Sequence, residues 1–423
     1  MSAPRMPRAI VIVVDRLGSG FLGTYGNTWV VTPAINRFAS QSILWEHCLS
    51  DSPLLSSVCH THWSGMHSVL LNTPNGPPAA SSGLPGQLAT ADIPAVLISD
   101  ELEVVNHPLA TGFSETILIP EKTSDVSVAS IEETQCASVL AYALQWLEKQ
   151  PADASFLAWI HLRAMQGPWD APQSFRELFH DEEDPDLPTW TSPPQQQTES
   201  FDPDDLLGVT QAYAGQISAL DSCLDVFWQT LDELPGAAET LTTLTSPRGF
   251  PLGQHGRVGA CDHPLYGELL NVPCLLRLPA QEQAAKRIQS LVQPGNLYTT
   301  LLHWFGQNDP LSDQRPLPNP LIPAPADPAS NGHWPASSNR AVAVSNQQLA
   351  LRTPAWFLHQ TTDQEAELYV KPDDRWEIND VANRCPDIVE QMTEQLQLCQ
   401  ERFQNGSQDP WPALPELLAD GLE

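Results

Sequence analysis

Lysine is nearly absent from this chain. Of 423 residues only four are lysine, Lys122, Lys149, Lys286 and Lys371; lysine and arginine together number 20, against 51 acidic residues. The formal charge is −31. Such a surface repels nucleic acid, anionic membranes and polyanionic polymers, so neither nucleic acid nor membrane is expected as a partner. Long apolar runs are also missing. None approaches the ~18 residues that a membrane span needs. The early run Ala9 to Val14 is too short for a secretion signal and is followed by no small-residue cleavage site. A cytoplasmic protein is expected. Metal-type cysteine spacing is the third absence. The eight cysteines, Cys48, Cys59, Cys136, Cys223, Cys261, Cys274, Cys385 and Cys399, include no C-x-x-C pair. That excludes a zinc ribbon and a thioredoxin motif, and without a secretion signal no disulfide framework is expected.

What is present suffices for a large core. Apolar residues make up 41% of the chain, and its length allows one large α/β domain and a smaller one. The run Ala9 to Val14 does not alternate, which predicts a strand buried on both faces of a parallel sheet. It stops at Asp15, and a loop with Gly18, Gly20, Gly23 and Gly26 follows. In open α/β sheets the carboxyl edge is where ligands bind. Position alone fits Asp15 equally well to a turn or cap.

Thr32-Pro33 predicts a helix start, with Thr32 as its cap. Further strands are predicted over Ile43 to Trp45, Pro94 to Ser99, Phe156 to His161, Thr240 to Thr245 and Val272 to Leu278. Helices are predicted over Ile131 to Gln150 and Tyr213 to Leu234, where apolar residues recur at helical spacing. Thr73 to Gly86 and Asp181 to Asp205 read as loops. The alternation argues a doubly wound sheet. The proline-dense stretch 308–339 reads as a connector. Short β-like runs from Ala341 to Leu351 and Glu365 to Val370 follow, then a helix from Pro386 to Phe403 and an acidic tail expected to fray. The division is 1–307, 308–339, 340–405 and 406–423.

Several stretches together resemble the sulfatase family of the alkaline phosphatase superfamily. Arg8 to Asn27 followed by TPAINRFASQSILWEHCLS looks like that family's opening strand, loop and first helix. SPLLSSVCHTHWSG, Ser52 to Gly65, occupies the place of S-P-x-C-x-P-S-R-x-x-x-x-T-G without a gap. AVLISDELEV, FLAWIHLRAMQGPWDAP and TLTTLTSPRGFPLGQHG match further family segments in the same order, to about residue 400. The resemblance implies a mostly parallel central sheet flanked by helices, with a small C-terminal α+β subdomain. It also implies a calcium ion held by carboxylates and an amide, and a formylglycine nucleophile made from cysteine or serine. Lysines and histidines would surround the sulfate, stabilise its charge and protonate the leaving oxygen.

The chain departs from that chemistry almost everywhere. Asp15 remains, but Arg16 replaces the neighbouring metal ligand, and Pro247 and Arg248 replace two more. Leu55 stands where the nucleophile precursor belongs, and Cys59 where the family arginine belongs. Asp100 takes a lysine position, Leu102 a histidine position, Gln166 another histidine position and Asp262 a later lysine position. Positions serving turns and packing match, among them Gly23, Tyr25, Thr32, Pro33, Gly65, His161, Ser246, Gly249 and His255. The reading is therefore a catalytically inactive family member with a binding or regulatory role toward an unidentified protein or small molecule. No metal and no cofactor are expected. The alternative is an active sulfuric-ester or phosphoric-ester hydrolase with an altered site, and only that alternative requires calcium.

Arginines stand where the family has acids, and aspartates where it has lysines. Exchanged charges in one pocket should compensate, so a guanidinium is expected within ~4 Å of Asp15, Asp100 or Asp262. Cys59, His60 and His62 could form an activated thiolate site; a buried thiol with two surface histidines is the plainer reading. Ser56 and Ser57 are expected to cap a helix. Asp262-His263 are sequence neighbours that should not share a face. The thirteen tryptophans are expected in core and interface, and Asp181 to Asp186 in a solvated loop.

Overall fold

The computed structural model describes residues 6–71, 82–122, 126–194, 201–308, 321, 338–345, 348–361, 365–407, 409 and 411–421. Nearly all of the expected connector 308–339, the Gln-rich middle of the 181–205 loop and most of the 73–86 loop lie outside the described residues.

Thirteen strands occur in chain order: β1 Arg8–Val14, β2 Ile43–Leu49, β3 Ala95–Ser99, β4 Glu115–Leu118, β5 Phe156–Leu162, β6 Thr240–Thr245, β7 Asn271–Val272, β8 Cys274–Arg277, β9 Lys286–Val292, β10 Ala341–Ser345, β11 Gln348–Arg352, β12 Trp356–Thr361 and β13 Glu367–Val370. The first nine form one sheet in the order β4-β3-β5-β1-β6-β8-β2-β7, with β9 paired to β2. The last four form an antiparallel meander. This is an α/β fold with a mostly parallel central sheet flanked by helices and a small C-terminal subdomain.

The unalternating run is central because both its edges and both its faces are covered. β1 pairs in parallel with β5 on one side and β6 on the other. Ile10, Ile12 and Val14 pack into the core under the helices Pro33–Ser40, Gln135–Glu148 and Pro203–Glu233. Ala9, Val11 and Val13 join the opposite core under Leu55–Ser64 and Pro294–Trp304. Each fully buried Ile or Val contributes about 1.5–3 kcal/mol.

Several boundaries differ from expectation. Thr32 sits at the cap position but does not cap; its hydroxyl accepts from Gly23 N–H. The Asp221 carboxylate caps that helix instead, accepting from Ala34 and Ile35 N–H at 3.0 and 2.8 Å. The helix expected from Tyr213 starts at Pro203, behind Asp202, whose side chain accepts from Asp204 N–H. Pro203 at the first helical position and acids in the first turn favour that start. The strand expected over Val272 to Leu278 breaks at Pro273 into β7 and β8, because proline cannot donate to a ladder. The unforeseen β4 lies at a sheet edge, and it and β9 are mostly half-exposed or exposed, so their composition is too polar to read as core. The tail does not simply fray. Leu418 is buried in the C-terminal core, and Leu417 O accepts from Trp356 Nε1 at 2.7 Å.

All eight cysteines are free. Trp45, Trp63, Trp159, Trp169 and Trp356 are among the largest fully buried side chains, whereas Trp29 and Trp376 are exposed. Among the described residues, no helix is long and apolar enough to cross a membrane.

Candidate functional site

Asp15 leaves the carboxyl end of β1 fully buried, its N–H held by Leu162 O at 2.9 Å. Arg16 follows in the left-handed region at φ +59°. That conformation costs a non-glycine residue about 1–2 kcal/mol and needs outside support. The Tyr213 hydroxyl supplies it by donating to Arg16 O at 2.7 Å, and Leu17 N–H donates to Ser246 Oγ.

Arg248 arrives from the carboxyl end of β6. The backbone there lies so close to Glu268 that only glycine fits at 249: a Cβ on Gly249 would lie 2.0 Å from Glu268 O. The Arg248 guanidinium grips Asp15 with two parallel bonds, Nε to Oδ1 at 2.9 Å and Nη2 to Oδ2 at 3.0 Å. Its Nη1 donates to Asp262 Oδ1 and to Pro53 O, both at 3.0 Å. Arg16 completes the cluster: Nη2 reaches Asp262 Oδ1 at 3.2 Å, Nη1 reaches Cys261 O at 2.9 Å, and Nε donates to Gln166 Oε1. Two cations meet two carboxylates, and the pocket is neutral. The expected guanidinium bridge is present.

The electrostatics follow from burial and pairing. Burial alone would raise the Asp15 pKa, but the charge and hydrogen bonds of Arg248, with Arg16 and His161, more than offset it and hold Asp15 below its ordinary value. Burial lowers Arg248, yet Asp15 and Asp262 pull it above the usual arginine value. Arg16 is lowered, first by burial and then by Arg248, with Asp15 and Asp262 opposing.

The other expected positions behave differently. Asp100 does not join the network. It accepts from Arg163 N–H at 2.9 Å, and burial lifts it to about 6 against that bond. Leu102 is exposed at the start of the short helix Leu102–Val105. Pro247 is buried beside Arg248 and carries no donor. Leu55 and Cys59 are buried in apolar packing. Burial, then Asp15, pushes the Cys59 thiol well up, which is the reverse of an activated thiolate. His60 and His62, expected at the surface, are buried, and burial with His161 lowers His62 to about 3. Ser56 and Ser57 do not cap; they lie inside the first turn of Leu55–Ser64, where Ser56 N–H donates to Glu103 Oε1 at 3.1 Å. His161 is buried, neither ring nitrogen has a hydrogen-bond partner among the described residues, and burial lowers it to about 4. Asp262 faces the cluster, while the adjacent His263 is absent from it. Ser246 was expected to serve a turn and does so, donating to Arg248 O, while the roles of the Tyr213 hydroxyl and of the Pro53 and Cys261 carbonyls were not foreseen. Among the described residues, no group of three or more His, Cys, Asp or Glu is placed to hold a metal ion.

Comparisons with known proteins bear on this geometry. The phosphonate monoester hydrolase of Agrobacterium radiobacter superposes with a TM-score of 0.75 at 16% identity, covering 93% of this chain and 95% of that one. A 2-O GAG sulfatase, BT1596, gives 0.72 at 16% identity over 96% of both chains. A phosphonate monoester hydrolase from Silicibacter pomeroyi gives 0.71 at 13% identity, over 94% of this chain and 96% of that one. At such identities the likeness is one of fold. No curated protein matches by sequence. The sequence model of the family described as Sulfatase matches residues 7–307, most of the chain. The chain, with its Asp15 gripped by arginine, belongs to the sulfatase family.

Proposed function

We propose that this protein is a catalytically inactive member of its family, retained for binding or regulation. The observation that carries the proposal is the Arg248–Asp15 fork. Calcium takes about six to eight oxygen ligands, commonly from carboxylates, carbonyls and water. Here both Asp15 oxygens accept from a guanidinium, and a second guanidinium, Arg16, stands alongside. The donor set suits an internal ion pair and does not fit calcium. Leu55, at the position of the nucleophile precursor, has no heteroatom in its side chain to attack an ester. The reading includes a cytoplasmic location, the domain division at residue 307, and a protein or small-molecule partner; the −31 charge argues against nucleic acid or an anionic membrane.

The test is turnover of aryl sulfate, phosphate and phosphonate esters with and without calcium, alongside a calorimetric calcium titration. No saturable turnover and no calcium heat are expected. The Leu55→Cys variant, co-expressed with a formylglycine-generating enzyme, should stay inactive, because groups that act as a unit fail together. Metal-dependent saturable turnover by the unaltered protein would overturn the proposal and establish the altered-site hydrolase.

A further inference from the structure

A second polar cavity, of about 290 Å³, lies where β2 and β9 face the C-terminal sheet. None of the charged residues around Asp15 lines it. Arg287, Arg352, Lys371 and Arg375 surround it, and the opposing acids are Glu46 and Glu377. Four cations against two carboxylates leave an excess of two positive charges, in a chain whose total is −31. His47 adds no charge near neutral pH: burial, Arg352 and Lys371 lower it against Glu46.

Most of these charges have partners. Arg287 pairs with Glu46 at 2.8 Å, and Lys371 pairs with Glu377. Arg375 donates to Tyr25 O at 3.3 Å. Arg352 is the exception. It is 6% exposed, and its Nη1 is anchored on Pro354 O at 2.9 Å, Trp356 O at 3.2 Å and Thr353 O. Among the described residues no carboxylate pairs with it, and its Nε and Nη2 donate to none. Burial presses this guanidinium down to about 9, with Glu377 opposing. A buried cation with no carboxylate bonded to it is costly, and a bound anion offsets that cost.

We propose that this cavity binds a small organic dianion, one oxyanion group of which takes two parallel hydrogen bonds from Arg352 Nε and Nη2. The Nε/Nη2 edge of a guanidinium matches a carboxylate or a phosphate in that way. Arg375 and Arg287, at the exposed rim, supply the second charge. The two oxyanion classes share this chemistry, and the experiment separates them.

The probes are inorganic phosphate and succinate, titrated calorimetrically into the full chain at low ionic strength. Saturable binding of at least one is expected, and the tighter probe identifies the oxyanion. Arg352→Met should weaken it by about tenfold or more, the loss of one charge-assisted pair. Because Arg352 is buried, the exposed variant Arg375→Gln is measured in parallel and should weaken binding about threefold while folding normally. Lys149→Gln, an exposed cation outside both sites, should bind as the unaltered protein does. The proposal is overturned if neither probe saturates, or if Arg352→Met and Arg375→Gln both bind unchanged. The ester and calcium assays do not report on this cavity, so the two proposals fail separately.

Discussion

The pocket at Asp15 and the cavity at Arg352 are built from the same residue types and reach opposite ends. At Asp15, two guanidiniums face two carboxylates, and each of the four has a partner of opposite charge within 3.2 Å. At Arg352, a buried guanidinium bonds to carbonyls and, among the described residues, to no carboxylate, and there is space in front of it. Capacity for a charged ligand depends on charge left uncancelled beside open volume. A residue type alone does not decide it.

Removing Arg248 should break the first half of that contrast most severely. Arg248→Met strands a fully buried Asp15 and should cost about 3–5 kcal/mol, read by urea denaturation near neutral pH. Asp15→Asn should also destabilise, and the double variant should lose less than the sum, because the two side chains act as a pair. The coupling has a pH signature. Asp15 is held below its ordinary value, so its contribution is present above the unfolded carboxylate value of about 3.9 and is lost as pH falls through the depressed folded value. A sum of single losses equal to the double loss would mean that the fork is not a unit.

Asp100 offers the opposite sign. Burial raises it to about 6, so its ionisation opposes folding. Stability from this group is present below the unfolded value near 3.9 and is lost as pH rises through about 6. Asp100→Asn should therefore stabilise by about 1–3 kcal/mol near pH 8, with the gain vanishing near pH 4. Asparagine can still accept from Arg163 N–H, so loss of that bond does not confuse the result. Destabilisation at both pH values would place Asp100 in an ion pair after all.

The smallest effect sharpens the second half. Glu46→Gln removes a partly exposed carboxylate from the cavity rim. Stability should change by less than about 0.5 kcal/mol, whereas affinity for the bound oxyanion should rise about two- to fivefold. Raising the salt should erase that gain, since exposed charges are screened over ~10 Å at ~0.1 M and ~3 Å at ~1 M. An affinity that falls in Glu46→Gln would mean the rim acid helps the ligand, against the charge argument.

The sequence by itself determined the central strands and marked where the chain departs from the motifs it resembles. A run such as Ala9 to Val14 carries its burial in its own composition, because a strand covered on both faces has no solvent side to mark with polar residues. The substitutions at Leu55, Arg16, Pro247 and Arg248 were legible because each stands in a collinear motif. The exchange of charge signs also foretold a bridge, but not which partners would meet. Only the tertiary structure paired Arg248 with Asp15 and Asp262 while leaving Asp100 on a backbone amide. It alone gave the Pro33 helix its cap from Asp221, and set Arg352 in a cavity whose two carboxylates, Glu46 and Glu377, pair with Arg287 and Lys371. The reason is physical. Periodicity and capping patterns act over a few residues, whereas the ends of these side chains are brought together by strand order and helix packing, across as many as 233 residues for Arg248 and Asp15. Whether a charge is cancelled depends on that assembly, and no local stretch of the chain records it.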